Sequence, residues 1–267
     1  MKSLSAQASD LLGISVVSEQ QLHGGSLSQV SRLTDDTGKS CVAKQGAAAR
    51  SEAEMLEAIA ETGCPAPAVI TSSSDLLILE DLGPDEGPSS AWEDLGQSLG
   101  KLHAKHGSYY GWPVNHAFGS VEILNEPLDT WPGFWGERRL LPSCSHIRPD
   151  LARRIETLAK RLPELLPNAP SASLLHGDLW AGNIMARNGR VTGLIDPACY
   201  FGHSEVDLAM LSLFSSPSPD FRRAYGAAAP GFEERQPIYT LWPALVHLRL
   251  FGESYRGLVE RLLTVVE

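Results

Sequence analysis

Residues 174–185 read "LLHGDLWAGNIM" and set a histidine, an aspartate and an asparagine between two short apolar runs. An aspartate on a rigid loop can orient a hydroxyl and accept its proton, and a nearby asparagine can offer its amide oxygen to a hard divalent cation. Asp178 and Asn183 stand five positions apart, the HxDxxxxN spacing used in phosphoryl transfer. Asp178 is therefore the candidate catalytic base and Asn183 a candidate metal ligand. His176, just before the turn, is expected to hydrogen-bond backbone rather than to do chemistry. The same Gly, Asp and Asn residues also suit an ordinary turn between strands, so this loop alone does not decide its use.

Further pieces lie at suggestive places. In "GLIDPA" an apolar run ends at Asp196, with Pro197 fixing the exit. Asp196 follows Asn183 after one turn and one strand, an interval that brings two oxygen ligands to one Mg2+. In "CVAKQ" Lys44 ends an alternating strand, where its ammonium would meet the α- and β-phosphates of ATP. Glu52 and Glu54 on the following helix are its candidate partners. Glu52, one turn before Leu56 on the packing face, is the better placed. In "HGGSLSQVSRL" the backbone N–H groups of Gly24, Gly25 and Ser26 could cover the phosphates, although a Gly-Gly before a strand is also a common hairpin. "LLILEDLG" ends a strand at a connector, where the backbone of Glu80, Asp81 and Leu82 would face an adenine. Each piece has a plain alternative: a strand end, a solvated lysine, two solvated glutamates. Their order is what matters, because Gly-rich turn, Lys strand, Glu helix, hinge, HGDxxxxN and Asp after a strand follow one another as in kinases. ATP and Mg2+ are the expected cofactors.

The elements that must position these residues divide near residue 83. Before it, "LSQVSRL", "SCVAK" and "LLILE" read as strands, and "ARSEAEMLEAIAETG" as a helix that stops at Gly63 ahead of Pro65. "LGPDEGPSS" reads as a connector. Beyond it helices dominate. "SSAWEDLGQSLGKLHAKHG" offers a Ser N-cap and a terminal Gly, and "RPDLARRIETLAKRL" places Leu151, Ile155, Leu158 and Leu162 at helical spacing. The tail from "QPIYTLWPALVHLRLFG" to "YRGLVERLLTVVE" is helical in pattern, with Pro243 a point where a kink or a shifted boundary is open. A small β island, "SLLHGD", "NIMA" and "RVTGLIDP", carries the candidate loop. The expectation is an α+β, bilobal, protein-kinase-like fold. It has a β-rich N-lobe over residues 1–82 for nucleotide and a mainly helical C-lobe over 83–267 for catalytic loop, metal and acceptor, with the cleft between them as the site.

Composition narrows the function class. A formal charge of −10 over 267 residues, with no basic stripe, argues against nucleic acid or an anionic membrane as partner and tolerates a cationic small molecule. No apolar run nears the roughly 20 residues of a membrane helix. Cys41, Cys64, Cys144 and Cys199 are scattered without a CxxC pair, which fits neither a metal site nor a disulfide framework; a reducing cytoplasm is the expected location.

The chain resembles the fructosamine kinase (ketosamine-3-kinase) family, within the aminoglycoside-phosphotransferase-like kinases. The likeness rests on "LLHGDLWAGNIM" followed by "GLIDPACYFGHSEVDLAMLSLF", on "YYGWPVNHAFGSVEILNEPLDTWPGFWGERRLLP" and on "YTLWPALVHLRLFGESY". It runs from about Val17 to the last helix. The resemblance implies ATP- and Mg2+-dependent phosphorylation of a sugar hydroxyl on a ketosamine, whose phosphorylated adduct then falls from the amine. It carries Lys44, Asp178, Asn183 and Asp196 onto active-site positions, and Asp207 onto an aspartate that braces the catalytic loop. Trp180, inside that loop, has an aromatic face able to stack on a sugar, or to serve packing alone. Ser26 and Ser28 stand where many eukaryotic members have a cysteine, so redox control through that loop is not expected. Two other readings stay open: the same fold acting on an aminoglycoside, choline or another amino alcohol, and a non-catalytic nucleotide-binding pseudokinase. The presence of all four chemical residues weighs against the second.

Overall fold

The structure, a computed structural model, describes residues 3–22 and 29–267. Gly24, Gly25 and Ser26 lie outside the described residues. The N-lobe opens with helix α1 (Leu4–Leu12) and continues through strands β1 (Val16–Gln21), β2 (Gln29–Asp35) and β3 (Ser40–Gln45), helix α2 (Ala49–Ala60), then β4 (Val69–Ser72) and β5 (Leu76–Glu80). The strands form one sheet in the order β1-β2-β3-β5-β4, antiparallel throughout.

Both faces of this sheet are covered, and the sequence shows why. Strand side chains alternate, so Cys41 and Ala43 face one way with Leu33, Leu76 and Ile78, beneath Leu4 and Ala8 of α1. Leu77 and Leu79 face the other way, against Ala49, Ala53 and Leu56 of α2. A strand buried on both faces must be apolar at every position, which is why β5 reads "LLIL" without alternation. Ser3 caps α1 through its hydroxyl, which accepts from Ala6 N, and Gly13 ends the helix in the left-handed region.

The C-lobe carries α3 (Trp92–His103), a small hairpin β6 (His116–Phe118) and β7 (Val121–Ile123), and α4 (Trp131–Phe134), which runs into a π-helical stretch at Trp135–Leu140. Helix α5 (Pro149–Leu165) follows, then β8 (Ser173–Leu175), β9 (Ile184–Arg187), β10 (Arg190–Leu194) and β11 (Tyr200–Gly202). The chain closes with α6 (Glu205–Phe214), α7 (Pro219–Tyr225), α8 (Phe232–Phe251) and α9 (Arg256–Val266). The β island is two separate ladders, β8 with β11 and β9 with β10. Leu151, Ile155, Leu158 and Leu162 are buried along one stripe of α5, as their spacing predicts.

Three details emerge, the first a correction. Helix α3 starts after a 3-10 turn at Pro88–Ser90, and its N-cap is Ala91 rather than a serine. Pro243 does not break α8, which continues through both Pro237 and Pro243. The helix buries residues on most of its faces, so tertiary packing outweighs the local cost of proline. The connector after residue 83 is held by hydrogen bonds to the C-lobe. Glu86 N donates to Ala186 O, Ala186 N to Asp85 Oδ1, and Asn188 N to Glu86 Oε2, which lashes the crossing to β9.

An aromatic cluster of Trp131, Phe134, Trp135, Tyr200, Tyr239 and Trp242 fills the C-lobe interior around a fully buried arginine. The Arg139 guanidinium lies 4.0 Å from the Tyr200 ring centre and donates to Leu124 O and Asn125 Oδ1. No helix among the described residues is long and apolar enough to cross a membrane.

Candidate active site

The pleat of β3 puts Lys44 on the same side as Val42, toward α2. Its ammonium reaches the Glu52 carboxylate on α2 and the Asp196 carboxylate beyond β10, the latter at 2.5 Å. Glu52 is buried and Glu54, two residues on, is exposed; Glu52 is the one that meets the lysine. Burial alone would drive proton loss from Lys44, but the two carboxylates hold its pKa above the ordinary lysine value, so it stays a cation.

The catalytic-loop candidates are fixed by backbone contacts. Gly177 has φ +80°, and a Cβ there would stand 2.0 Å from Ala198 O. Only glycine permits that approach, which lets His176 O accept from Ala198 N at 2.8 Å and seats the loop directly on the Asp196–Ala198 segment. Asp196 itself has φ +54°, a conformation aspartate tolerates better than most residues. Ile195 N also donates to Asn183 O, so the two expected metal-ligand positions are tied by main chain.

His176 is fully buried and acts as a spacer. Its Nε2 donates to Ile195 O at 3.0 Å and its Nδ1 accepts from Asp178 N at 3.3 Å. Those roles define a neutral ring, and burial lowers its pKa in agreement. Asp178 is half-buried, and desolvation lifts its pKa to about 7 against the hydrogen bond from Asn183, with the charges of Asp196 and Asp207 adding to the rise. A carboxylate made more basic this way is suited to receive a hydroxyl proton.

Asn183 Nδ2 donates both to Asp178 O (2.9 Å) and to Asp178 Oδ2 (3.0 Å). That leaves the amide Oδ1 as its remaining donor toward a cation. With one oxygen of Asp196 on Lys44, the other completes a pair of hard oxygen donors. Two protein oxygens and no sulfur or imidazole fit Mg2+, which keeps most of its shell for water and phosphate. Among the described residues no group of three or more His, Cys, Asp or Glu gathers as a metal site.

Below the loop, Asp207 of α6 is fully buried. Its Oδ2 accepts from His176 N at 2.7 Å and its Oδ1 from Gly177 N at 3.0 Å. Burial works to raise its pKa, but His103, His176 and the Gly177 N–H prevail and hold it below the usual carboxylate value. His103, which sequence reasoning missed, lies 3.1 Å through Nε2 from Asp207 and 2.8 Å through Nδ1 from the Tyr225 hydroxyl. A histidine on the buried face of α3, among apolar neighbours, was the available signal.

Trp180 is 40% exposed, and its ring lies over Gly182, where a Cβ would come within 2.2 Å of it. The glycine therefore makes room for the indole to lie flat on the loop. At the expected hinge, Glu80 N donates to Ala68 O, while the Glu80 carboxylate accepts from Ala68 N. That pairing ties the Glu80 amide into the sheet edge. The Asp81 carboxylate holds Arg32 at 2.6 and 3.0 Å and accepts from Gly83 N. Leu82 rests on Gly193, where a Cβ would clash at 2.5 Å. Hinge and β10 are thus in direct contact.

Comparison with known proteins adds an independent line. The fructosamine kinase family model matches residues 1–266. A probable ketoamine kinase of Synechocystis is 33% identical over 264 residues, 91% of this chain and 88% of that protein. A crystal structure from Thermobifida fusca, named as a candidate fructosamine-3-kinase, superposes with TM-score 0.90 at 28% identity, covering 99% of this chain and 98% of that one. An aminoglycoside phosphotransferase bound to AMP-PNP and hygromycin B superposes with TM-score 0.72 at 16% identity over 99% of both chains, a likeness of fold. The arrangement is that of the protein-kinase-like fold.

Proposed function

We propose, from the premise that this chain belongs to the fructosamine kinase family and is an ATP-dependent phosphotransferase with an alcohol acceptor, that it uses Mg2+-ATP to phosphorylate a sugar hydroxyl of a ketosamine. The observation that supports this most is the run of hydrogen bonds that joins Lys44 to Asp196, the Asp196 segment through Ile195 N to Asn183, and Asn183 to Asp178.

The division of labour follows the two lobes, residues 1–82 toward nucleotide and 83–267 toward acceptor. Lys44, oriented by Glu52, would bind the α- and β-phosphates, with Gly24, Gly25 and Ser26 covering them and the backbone of the Glu80–Asp81–Leu82 hinge receiving adenine. Asn183 and Asp196 would hold Mg2+, which when bound neutralises phosphate oxygens. Asp178 would accept a hydrogen bond from the sugar hydroxyl, aim its oxygen at the γ-phosphorus, and take its proton as the new O–P bond forms and the bond from the γ-phosphorus to the β,γ-bridging oxygen breaks, with ADP as the leaving group. His176 and Asp207 would keep that carboxylate in place. Trp180 would offer its indole face to the apolar side of the sugar. The phosphorylated adduct then leaves its amine, which makes the activity a deglycation.

Incubation with Mg2+-ATP and a panel of fructosamine, ribulosamine and erythrulosamine compounds tests this. Phosphate transfer to at least one is expected. ATP binding without transfer to any ketosamine, alongside transfer to an aminoglycoside or choline, would replace the substrate assignment and leave the phosphotransferase assignment standing.

A further inference from the structure

Three helices meet on one carboxylate below the catalytic loop. Asp207 of α6 uses both of its oxygens: Oδ1 accepts from Gly177 N, while Oδ2 accepts from His176 N and faces His103 Nε2 of α3. A carboxylate oxygen only accepts, so the facing nitrogen carries the hydrogen. In a neutral imidazole that leaves Nδ1 as the acceptor, and the group 2.8 Å from it is the Tyr225 hydroxyl of α7. The Ser204 hydroxyl bonds the same phenol, a donor for its oxygen that leaves the phenol's own hydrogen for His103.

Helix α7 reaches this point because a side chain is missing. Gly96 of α3 lies so near α7 that a Cβ there would stand 2.6 Å from Phe221 O and 2.9 Å from Tyr225 N. The Tyr225 ring stacks on Phe221 at 5.9 Å and meets the His103 ring edge to face at 5.6 Å. Trp92, at the start of α3, meets Phe221 edge to face at 6.2 Å. Packing on two sides therefore aims the phenol, and its O–H ends on the imidazole. From there hydrogen bonds run on to His176 and to Gly177, the residue before Asp178.

We propose that Tyr225 is a positioning residue for phosphoryl transfer: by donating to Nδ1 it fixes the tautomer in which His103 holds Asp207, and through Asp207 it steadies the amides that place Asp178. Without the hydroxyl the ring is free to carry its hydrogen on Nδ1. The Nε2 lone pair would then face the Asp207 carboxylate, a repulsion between two buried groups. Asp207 Oδ2 serves His103 and His176 N together, so a shift that relieves the first contact loosens the second. The effect belongs to turnover, because these contacts end on the catalytic-loop backbone, whereas Lys44 is held separately by Glu52 and Asp196. The inference rests on the reading of Asp178 as the base given above.

Tyr225→Phe removes one oxygen and keeps the ring that packs on Phe221. Its kcat should fall about tenfold, in keeping with the loss of one buried hydrogen bond, with KM for ATP within about twofold of wild type. His103→Gln is the second variant. Its amide N–H can donate to Asp207 and has no tautomer to fix, so adding Tyr225→Phe to it should change kcat by less than about threefold. Steady-state kinetics on the single and double variants, with a thermal melt for each, measure both. A kcat unchanged in Tyr225→Phe overturns the proposal whether or not the second variant folds. So does a full tenfold loss in the His103→Gln background, which would assign the hydroxyl to packing alone, and so does an equal loss of ATP affinity. Wild-type turnover in Asp178→Asn overturns the reading of the base and this inference with it, an outcome seen without any change at Tyr225.

Discussion

The two sides of the cleft hold their charges by different means. On the nucleotide side, side chains hold side chains: Lys44 is positioned by Glu52 and by Asp196, 152 residues away in the chain. On the catalytic-loop side, a buried carboxylate holds backbone: Asp207 accepts from the amides of His176 and Gly177, and the loop's own glycine lies against Ala198. The first arrangement can be remade when phosphates and a cation arrive, because a flexible lysine can change partners. The second leaves no such freedom, because each of its bonds is buried and moving one leaves a polar group unpaired. The contrast suits the chemistry. Under the proposed function the nucleotide would enter and leave, whereas Asp178 would have to be in place each time.

The strongest way to sharpen this contrast is Asp178→Asn. Turnover should fall by about 10²–10⁴, the usual worth of a positioned general base, with ATP affinity nearly unchanged. Steady-state kinetics beside a nucleotide-binding titration measure both, and a kcat near wild type would remove Asp178 from its role. Asp207→Asn comes next. One acceptor oxygen then faces two amides and His103, so stability should drop by about 3 kcal/mol in urea melts, with kcat falling alongside. A mutant as stable as wild type would mean that the loop stands without this brace.

On the nucleotide side the expected effects are smaller. Glu52→Gln should raise KM for ATP on the order of tenfold, and Glu54→Gln, at an exposed position, should leave it unchanged. Equal effects from the two would contradict the pairing seen here. Smallest is Trp180→Ala, which should raise KM for the acceptor by about fivefold without touching ATP affinity, in keeping with the loss of one aromatic stack. Gly182→Ala, whose Cβ would displace the indole, should act in the same direction.

How much of this was legible in the sequence varies by region. The catalytic loop, the Lys strand and the Asp after β10 could be read because each chemical residue sits at a fixed distance from a turn or strand end. Glu52 could be placed because it shares a helical face with Leu56. Strands β1 and β4 carry no clear signal: β1, "VVSEQQ", is largely exposed at a sheet edge, and β4 has four residues. The β6–β7 hairpin has three-residue strands, too short for an alternation to show. His103 escaped although its place on the buried face of α3 marks it as a polar group needing partners, because those partners, Tyr225 and Asp207, lie 122 and 104 residues away in the chain. The hinge shows the same limit. The strand end at Glu80 was visible, but its pairing with Ala68 depends on how β4 approaches β5.

Helix α2 is shared between the lobes in a way that bears on how the molecule opens. Ala49, Ala53 and Leu56 belong to the N-lobe sheet, whereas Met55 and Ile59 belong with Cys64 to the large C-lobe core. Cys199, just past Asp196, lies with its N–H 3.3 Å from Met55 Sδ. Under native-state hydrogen exchange, the amides of α2 should therefore open with the cooperative unit of the C-lobe, later than the edge strand β1. A helix that exchanges with the far lobe acts as a rivet through both plates. Glu52, on that same helix, is thereby anchored from two sides, by the sheet residues on one and by the large core on the other.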